Sequence, residues 1–239
     1  MASPPFLPLL LLLLSLLLLS PPQSYSYESD KVNLTLYYET GCPYCRDFII
    51  HPLAEAMGSD LVNIVNLRLV PWGNAYSIGS TIVCQHGEDE CLLNRIHACI
   101  IAVARQPYMF DIIKCTEEEE EEEEEEQQAA NNMSSNPSAV WTYCVDKLQF
   151  PKSPIEHCSN SGMGEKLLLK YGYDTTHLKP PLRGVPWVTV NGIPLAQEYK
   201  KFVSYVCNAY KGKSLPIACR KSSHDIEKSS NEEQMCYRA

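Results

Sequence analysis

Eleven cysteines, every one beyond residue 41, constrain this 239-residue chain more than any other feature. Cysteines at that density persist as disulfides in an oxidising compartment, where they staple a fold that its core alone would hold less firmly. The N-terminus agrees with such a destination. Its apolar run from Phe6 to Leu19 is shorter than the ~20 residues a bilayer-spanning helix needs, and it reads as a signal peptide. Small residues at Ser20, Ser24 and Ser26 offer cleavage points, so residues 1–26 are expected to leave and the mature chain to begin near Tyr27. No later stretch reaches spanning length, so the processed protein is expected to be soluble, with no membrane attachment.

The net charge of −9 is concentrated in one place. Ten carboxylates form the run Glu117–Glu126, and without them the remainder carries +1. A nearly neutral body argues against nucleic acid as a partner. The run repels itself, and with the Asn-, Ser- and Ala-rich stretch behind it residues 116–138 read as a solvated, disordered loop.

Val32, Leu34, Leu36 and Tyr38 alternate with Asn33, Thr35 and Tyr37 in the period-two pattern of a strand, broken at Gly41. Phe48, Ile49, Leu53 and Ala56 then predict a helix, with Pro43 in its first turn, Gly58 at its end and a kink at Pro52. Leu61–Val70 reads as a second strand. Helical spacing follows over Cys91–Arg105, Trp141–Leu148 and Gly164–Tyr171. Pro186–Val190 with Asn191-Gly192 predicts a strand entering a two-residue hairpin turn, and Gln197–Tyr210 a closing helix. The order suggests an α/β thioredoxin-like sandwich over residues 27–220, with a mostly helical, disulfide-rich insertion at about 72–182 and a C-terminal tail at 221–239.

At the first strand-helix junction stands Cys42-Pro43-Tyr44-Cys45. A sulfur at the start of a helix faces unpaired backbone N–H groups, which favour the thiolate, the reactive form. Cys45 lies one turn on, close enough to attack a mixed disulfide made at Cys42. Cys42 is therefore the expected nucleophile and Cys45 the resolving thiol, supported by Pro43 and Tyr44. Val185-Pro186, just before a strand, suits the cis-proline loop that such folds place against the cysteines. Zinc needs four ligands at spacings these cysteines and histidines do not repeat, so no metal and no organic cofactor is expected.

Residues 84–99, Cys-Gln-His-Gly-Glu-Asp-Glu-Cys-Leu-Leu-Asn-Arg-Ile-His-Ala-Cys, match throughout the pattern CQHGxxECxxNxxxxC, which resembles the signature of the gamma-interferon-inducible lysosomal thiol reductase (GILT) family. Val185–Gly192, Leu178–Pro181 and the stretch from Cys207 to Cys219 resemble the family too, over roughly residues 31–220 in all. The resemblance implies reduction of disulfides in protein substrates, with a small thiol as electron donor, in the secretory or endolysosomal pathway: lysosome, vacuole or outside the cell. A disulfide oxidase or isomerase of the same fold and a non-catalytic disulfide-rich secreted protein are the competing readings. An acidic workplace poses a problem, because a thiol of pKa ~8.5 is only about 0.03 per cent thiolate at pH 5.

The other cysteines read as structural: Cys84, Cys91, Cys99, Cys115, Cys144, Cys158, Cys207 and Cys219. Cys91 and Cys99, about 12 Å apart along one helix, are too far apart to pair with each other. Cys84 could reach Cys91, or either could tie the insertion to Cys115, Cys144 or Cys158. If Cys42 and Cys45 pair, an odd number remains; Cys236 is the expected leftover, free, lost with a processed segment, or linking two chains into a dimer. His86 is expected to hold structure by hydrogen bonding. Asn132 and Asn33 are candidate glycan acceptors in Asn-x-Ser/Thr sequons.

Overall fold

The computed structural model describes residues 31–79, 81–130, 136–222 and 235–237. The leader at 1–26, Asn132 and most of the 221–239 tail lie outside them. Among the described residues no helix is long and apolar enough to cross a membrane.

A four-stranded sheet, ordered β2-β1-β6-β7, carries the architecture. Strand β1 (Val32–Tyr38) is parallel to β2 (Val65–Pro71), pairing Val32 with Val65 through to Tyr38 with Pro71. On its other side β1 runs antiparallel to β6 (Trp187–Val190), with Leu34 opposite Val190 and Tyr37 opposite Trp187. β7 (Ile193–Pro194) completes the hairpin, whose two turn residues Asn191 and Gly192 both have positive φ, 49° and 78°. A two-residue turn of that hand matches the strand twist, which is why Asn-Gly announced it.

Between β1 and β2 the chain forms α1 (Pro43–Phe48), a π-helical turn at Ile49–Leu53 and α2 (Ala54–Met57). Pro52 lacks the N–H an α-turn would use, and the wider turn absorbs it at the point where a kink was expected. The second strand starts later than its apolar pattern suggested, because Asp60–Asn63 coil into a 3₁₀ turn. Phe48 anchors α1 by edge-on contact with Phe202, ring centroids 5.3 Å apart, on α8 (Phe202–Ala209, the eighth helix along the chain).

From Pro71 to Gly184 the chain makes a small hairpin, β3 (Tyr76–Ile78) with β4 (Thr81–Val83), and then five helices. These are α3 (Glu88–Val103), α4 (Tyr108–Ala130), α5 (Pro137–Lys147), α6 (Ser153–Asn160) and α7 (Met163–Thr176). Disulfides stitch them: Cys84–Cys91 closes the loop ahead of α3, Cys99–Cys158 joins α3 to α6, and Cys115–Cys144 joins α4 to α5. Cys207–Cys219 ties α8 to α9 (Ile217–Ser222).

The acidic run corrects the sequence reading. The residues expected to form a disordered loop from 116 continue α4 as far as Ala130. Met109, Phe110, Ile112, Ile113 and Cys115 bury the first turns of this helix, so its nucleus is already fixed where the glutamates begin. Glutamate is a good helix former, and like-charge pairs on a helix cost only a few tenths of a kcal/mol each. Glu117 is fully buried, Glu118 pairs with Lys114, and Glu119 with Lys147 at 3.2 Å.

Candidate active site

The end of β1 delivers Glu39, Thr40 and Gly41 to the start of α1. Gly41 sits at φ +74°, and a Cβ there would lie 3.3 Å from His86 Cβ, so the close turn into Cys42 needs glycine. Cys42 caps α1 in an extended conformation, with Cys45 N–H donating to its carbonyl at 3.0 Å. The sulfur of Cys42 lies 3.8 Å from the Val185 carbonyl, and the Val185-Pro186 peptide is cis. Pro43 and Tyr44 are exposed above the pair, whereas Val185 and Pro186 are buried against it. The structure thus brings Cys42, Cys45, Val185 and Pro186 together.

It does not join the two cysteines of the motif. Cys42 is bonded to Cys236, 194 residues away, and Cys45 is left as the free thiol. The expectation for Cys236 is therefore corrected: in this state it is neither unpaired nor available to link two chains. Four bridges consume the eight cysteines expected to be structural, so the odd count resolves into three sulfurs, Cys42, Cys45 and Cys236, converging on one site.

Beside them lies a polar network that the signature residues build. Glu39, with no exposed surface, accepts from Asn74 N–H at 2.6 Å and from Asn74 Nδ2 at 3.2 Å. The turn around it is so close that a Cβ on Gly73, at φ +57°, would stand 2.1 Å from the carboxylate. His86 Nδ1 lies 3.8 Å from Glu39 and 2.9 Å from Glu90, which also accepts from His86 N–H and from Asn94 Nδ2 at 3.1 Å. Asn94 Oδ1 in turn accepts from Thr40 N–H at 3.0 Å. His86, Glu90 and Asn94 are spaced by four and share one face of the helix and its lead-in. His86 therefore has hydrogen-bonding partners of the kind expected of it. Glu39, Asn74, Gln85 and Glu90 were missed as members of the site; the four-residue spacing inside the signature was the signal that could have found Glu90.

Burial sets the electrostatics. Desolvation first, then the neighbouring Glu90, raises Glu39 to about 7 against the hydrogen bonds from Asn74. Desolvation also raises Glu90 to about 7. Burial pushes the Cys45 thiol well above the ordinary range, the Glu39 charge adds to that, and a hydrogen bond from the Glu39 main chain opposes it. At acidic pH both carboxyls are neutral, and at neutral pH they bring negative charge beside the sulfurs.

A cysteine at a strand-helix junction, a second one turn on, and a buried proline loop against the first define a thioredoxin-like thiol–disulfide oxidoreductase. The fold is similar to that of MdbA, a thiol-disulfide oxidoreductase from Actinomyces oris, with a TM-score of 0.51 at 15% identity over 78% of this chain and 85% of that one. Residues 33–148 match the family model described as "Gamma interferon inducible lysosomal thiol reductase (GILT)". The chain is 39% identical over 202 residues to the "Gamma-interferon-responsive lysosomal thiol protein" of Arabidopsis thaliana, covering 82% of this chain and 78% of that protein. It is 32% identical over 205 residues to the "Gamma-interferon-inducible lysosomal thiol reductase" of Carassius auratus, covering 82% and 75%. The chain belongs to the GILT family.

Proposed function

We propose that this protein reduces disulfide bonds of protein substrates by dithiol exchange, with Cys42 as nucleophile and Cys45 as resolving thiol. The observation that carries this reading is the free Cys45 thiol, one helical turn from a Cys42 sulfur that is already engaged in a disulfide. That arrangement has the connectivity of a mixed disulfide awaiting resolution. Pro43 and Tyr44 form the exposed rim, and Val185 and Pro186 the wall against which a substrate strand lies.

In the forward direction the Cys42 thiolate attacks a substrate disulfide, forming a mixed disulfide and releasing one substrate thiolate. Cys45 then attacks Cys42 Sγ, the second substrate sulfur leaves with the electron pair and takes a proton, and a Cys42–Cys45 disulfide remains. Two molecules of a small thiol restore the dithiol. The Cys45 proton must go somewhere in a buried site: at neutral pH the neighbouring Glu39 carboxylate can take it, whereas in an acidic compartment that carboxyl is already protonated. The workplace is the secretory pathway and the acidic compartments it supplies.

Reduction of insulin, followed across pH 4 to 8, tests the reading. Cys42→Ser should abolish the protein-dependent rate. Because Cys236 also reaches Cys42, the trap for a substrate is Cys45→Ser combined with Cys236→Ser, which should accumulate a stable enzyme–insulin disulfide at Cys42. Insulin reduction unchanged by Cys42→Ser would overturn the assignment. A strongly oxidising Cys42–Cys45 potential against glutathione would replace it with an oxidase.

A further inference from the structure

Residues 235–237 do more than supply a sulfur. Cys236-Tyr237 forms a strand, β8, antiparallel to β5 (Gly184–Val185), with Val185 opposite Cys236 and Gly184 opposite Tyr237. This pairing adjoins Pro186. Asn74, itself 4% exposed, donates from Nδ2 to the Cys236 carbonyl at 3.0 Å, and Gln85 Nε2 donates to the Tyr237 carbonyl at 3.1 Å. A Cβ on Gly184 would stand 2.6 Å from the Cys236 carbonyl oxygen, so the groove floor is a glycine against which a second backbone fits. Met235 is buried in the main core. Two side-chain amides reading consecutive carbonyls, a strand edge reading the other side and a nucleophile facing a cysteine make a site for an extended cysteine-bearing peptide.

We propose that this groove is the protein-substrate site, that Asn74 and Gln85 read substrate main-chain carbonyls there, and that the chain's own Met235-Cys236-Tyr237 occupies it as a tethered substrate, latching Cys42. The proposal rests on the reductase reading above. Opening is an exchange without net oxidation: Cys45 gives up its proton and attacks Cys42 Sγ, the Cys42–Cys236 bond breaks, and Cys236 leaves with the electron pair and is protonated. A small thiol then reduces Cys42–Cys45. In the reverse sense, the Cys236 thiolate attacks Cys42 Sγ of the Cys42–Cys45 bond, Cys45 leaves with the electron pair and is protonated, and the latch re-forms in competition with the small thiol. A tethered thiol acts at an effective concentration of order millimolar, so a small thiol at about 10 µM meets roughly a hundredfold disadvantage.

Peptide mapping of the full-length protein, oxidised with glutathione disulfide, alkylated without reduction and digested, reads the latch directly and independently of activity. The expected result is a Cys42–Cys236 linked peptide, with Cys45 alkylated only after denaturation. A Cys42–Cys45 bond with alkylated Cys236 would overturn the latch whatever the activity. Gln85→Ala, a change at the exposed end of the groove, should shift the bridge from Cys42–Cys236 towards Cys42–Cys45 without touching a sulfur; an unchanged ratio contradicts carbonyl reading by Gln85. Insulin reduction with glutathione as donor at about 10 µM should be at least tenfold faster for Cys236→Ser than for wild type, and the two should converge as glutathione rises beyond millimolar. Equal rates at low glutathione, in a protein still dependent on Cys42, refute competition by the tail while leaving the reductase intact. Loss of insulin reduction in both proteins would instead overturn the reductase reading on which the latch depends.

Discussion

Replacing Glu39 by Gln isolates the electrostatic cost of the site. Glu39 is raised from an ordinary value of 4.5 to about 7, chiefly by burial. Between those two values the folded protein holds a proton that the unfolded chain has released, so ν_U − ν_N is negative and stability falls as pH rises. Integrated to pH 7.5, the shift destabilises wild type by about 3 kcal/mol; integrated only to pH 5 it amounts to less than about 1 kcal/mol. Gln has nearly the same shape, keeps an oxygen for Asn74 N–H, and does not titrate. Glu39→Gln should therefore be more stable than wild type by about 3 kcal/mol at pH 7.5 and nearly equal to it at pH 5. Urea unfolding of both proteins with disulfides intact, from pH 4.5 to 8, measures the difference. Subtraction is essential, because His97, lowered by burial to about 3, acts in the opposite sense: its folded form sheds a proton the unfolded chain keeps, and stability climbs as pH rises from about 3 towards 6.5. His97 titrates in both proteins and cancels, whereas the Glu39–Glu90 repulsion is lost with the substitution and counts within the Glu39 difference. Stability curves that run parallel across the range would refute the claim that Glu39 is held neutral by its surroundings.

Gly172→Ala offers a test of packing with a decisive sign: helix propensity favours Ala by about 1 kcal/mol, but its Cβ would stand 2.7 Å from the ring of Trp72, which is 3% exposed. We expect net destabilisation of about 1–3 kcal/mol by urea unfolding, and a stabilised variant would contradict the contact. Phe48→Ala, which empties the contact between α1 and α8, should cost about 3–5 kcal/mol in the same assay; a loss under 1 kcal/mol would mean that α1 is held otherwise. Removing the Cys99–Cys158 bridge with paired Ala substitutions opens a link of sequence separation 59, which should lower stability by about 4 kcal/mol, and an unchanged midpoint would show that α3 and α6 are fixed by packing alone.

What the residues announced and what they hid divides along sequence distance. Strand β1, the cysteine pair at its end, the Asn191-Gly192 hairpin and the proline before β6 each rest on a few neighbouring residues whose local preferences agree with the final fold. The impossibility of a Cys91–Cys99 bond followed from helix rise alone. The partner of Cys42 did not, because sulfurs carry no register and the separation of 194 residues leaves any cysteine a candidate. Glu39 escaped notice for another reason: an acid one residue past an alternating strand looks like a surface group, and only the fold shows Trp72-Gly73-Asn74 wrapped around it. The glutamate run misled because charge repulsion was weighed without the buried, disulfide-tied turns that precede it in α4.

The same buried acid links stability to chemistry. A neutral Gln would spare the fold about 3 kcal/mol at pH 7.5, yet it could take no proton from Cys45, a thiol whose ionisation burial opposes. When Glu39 is ionised and Cys45 protonated, the pair carries one negative charge. Moving the proton from Cys45 to Glu39 leaves that single charge on sulfur, so a thiolate appears without a second charge being added to a dry interior. Direct loss of the Cys45 proton to water beside an ionised Glu39 would instead place two negative charges together, which burial and mutual repulsion both oppose. At neutral pH, then, the carboxyl that weakens the fold would serve as proton acceptor for the resolving sulfur, whether the bond it attacks is to a substrate or to the chain's own Cys236; in an acidic compartment, where it is already protonated, the Cys45 proton must leave by another route.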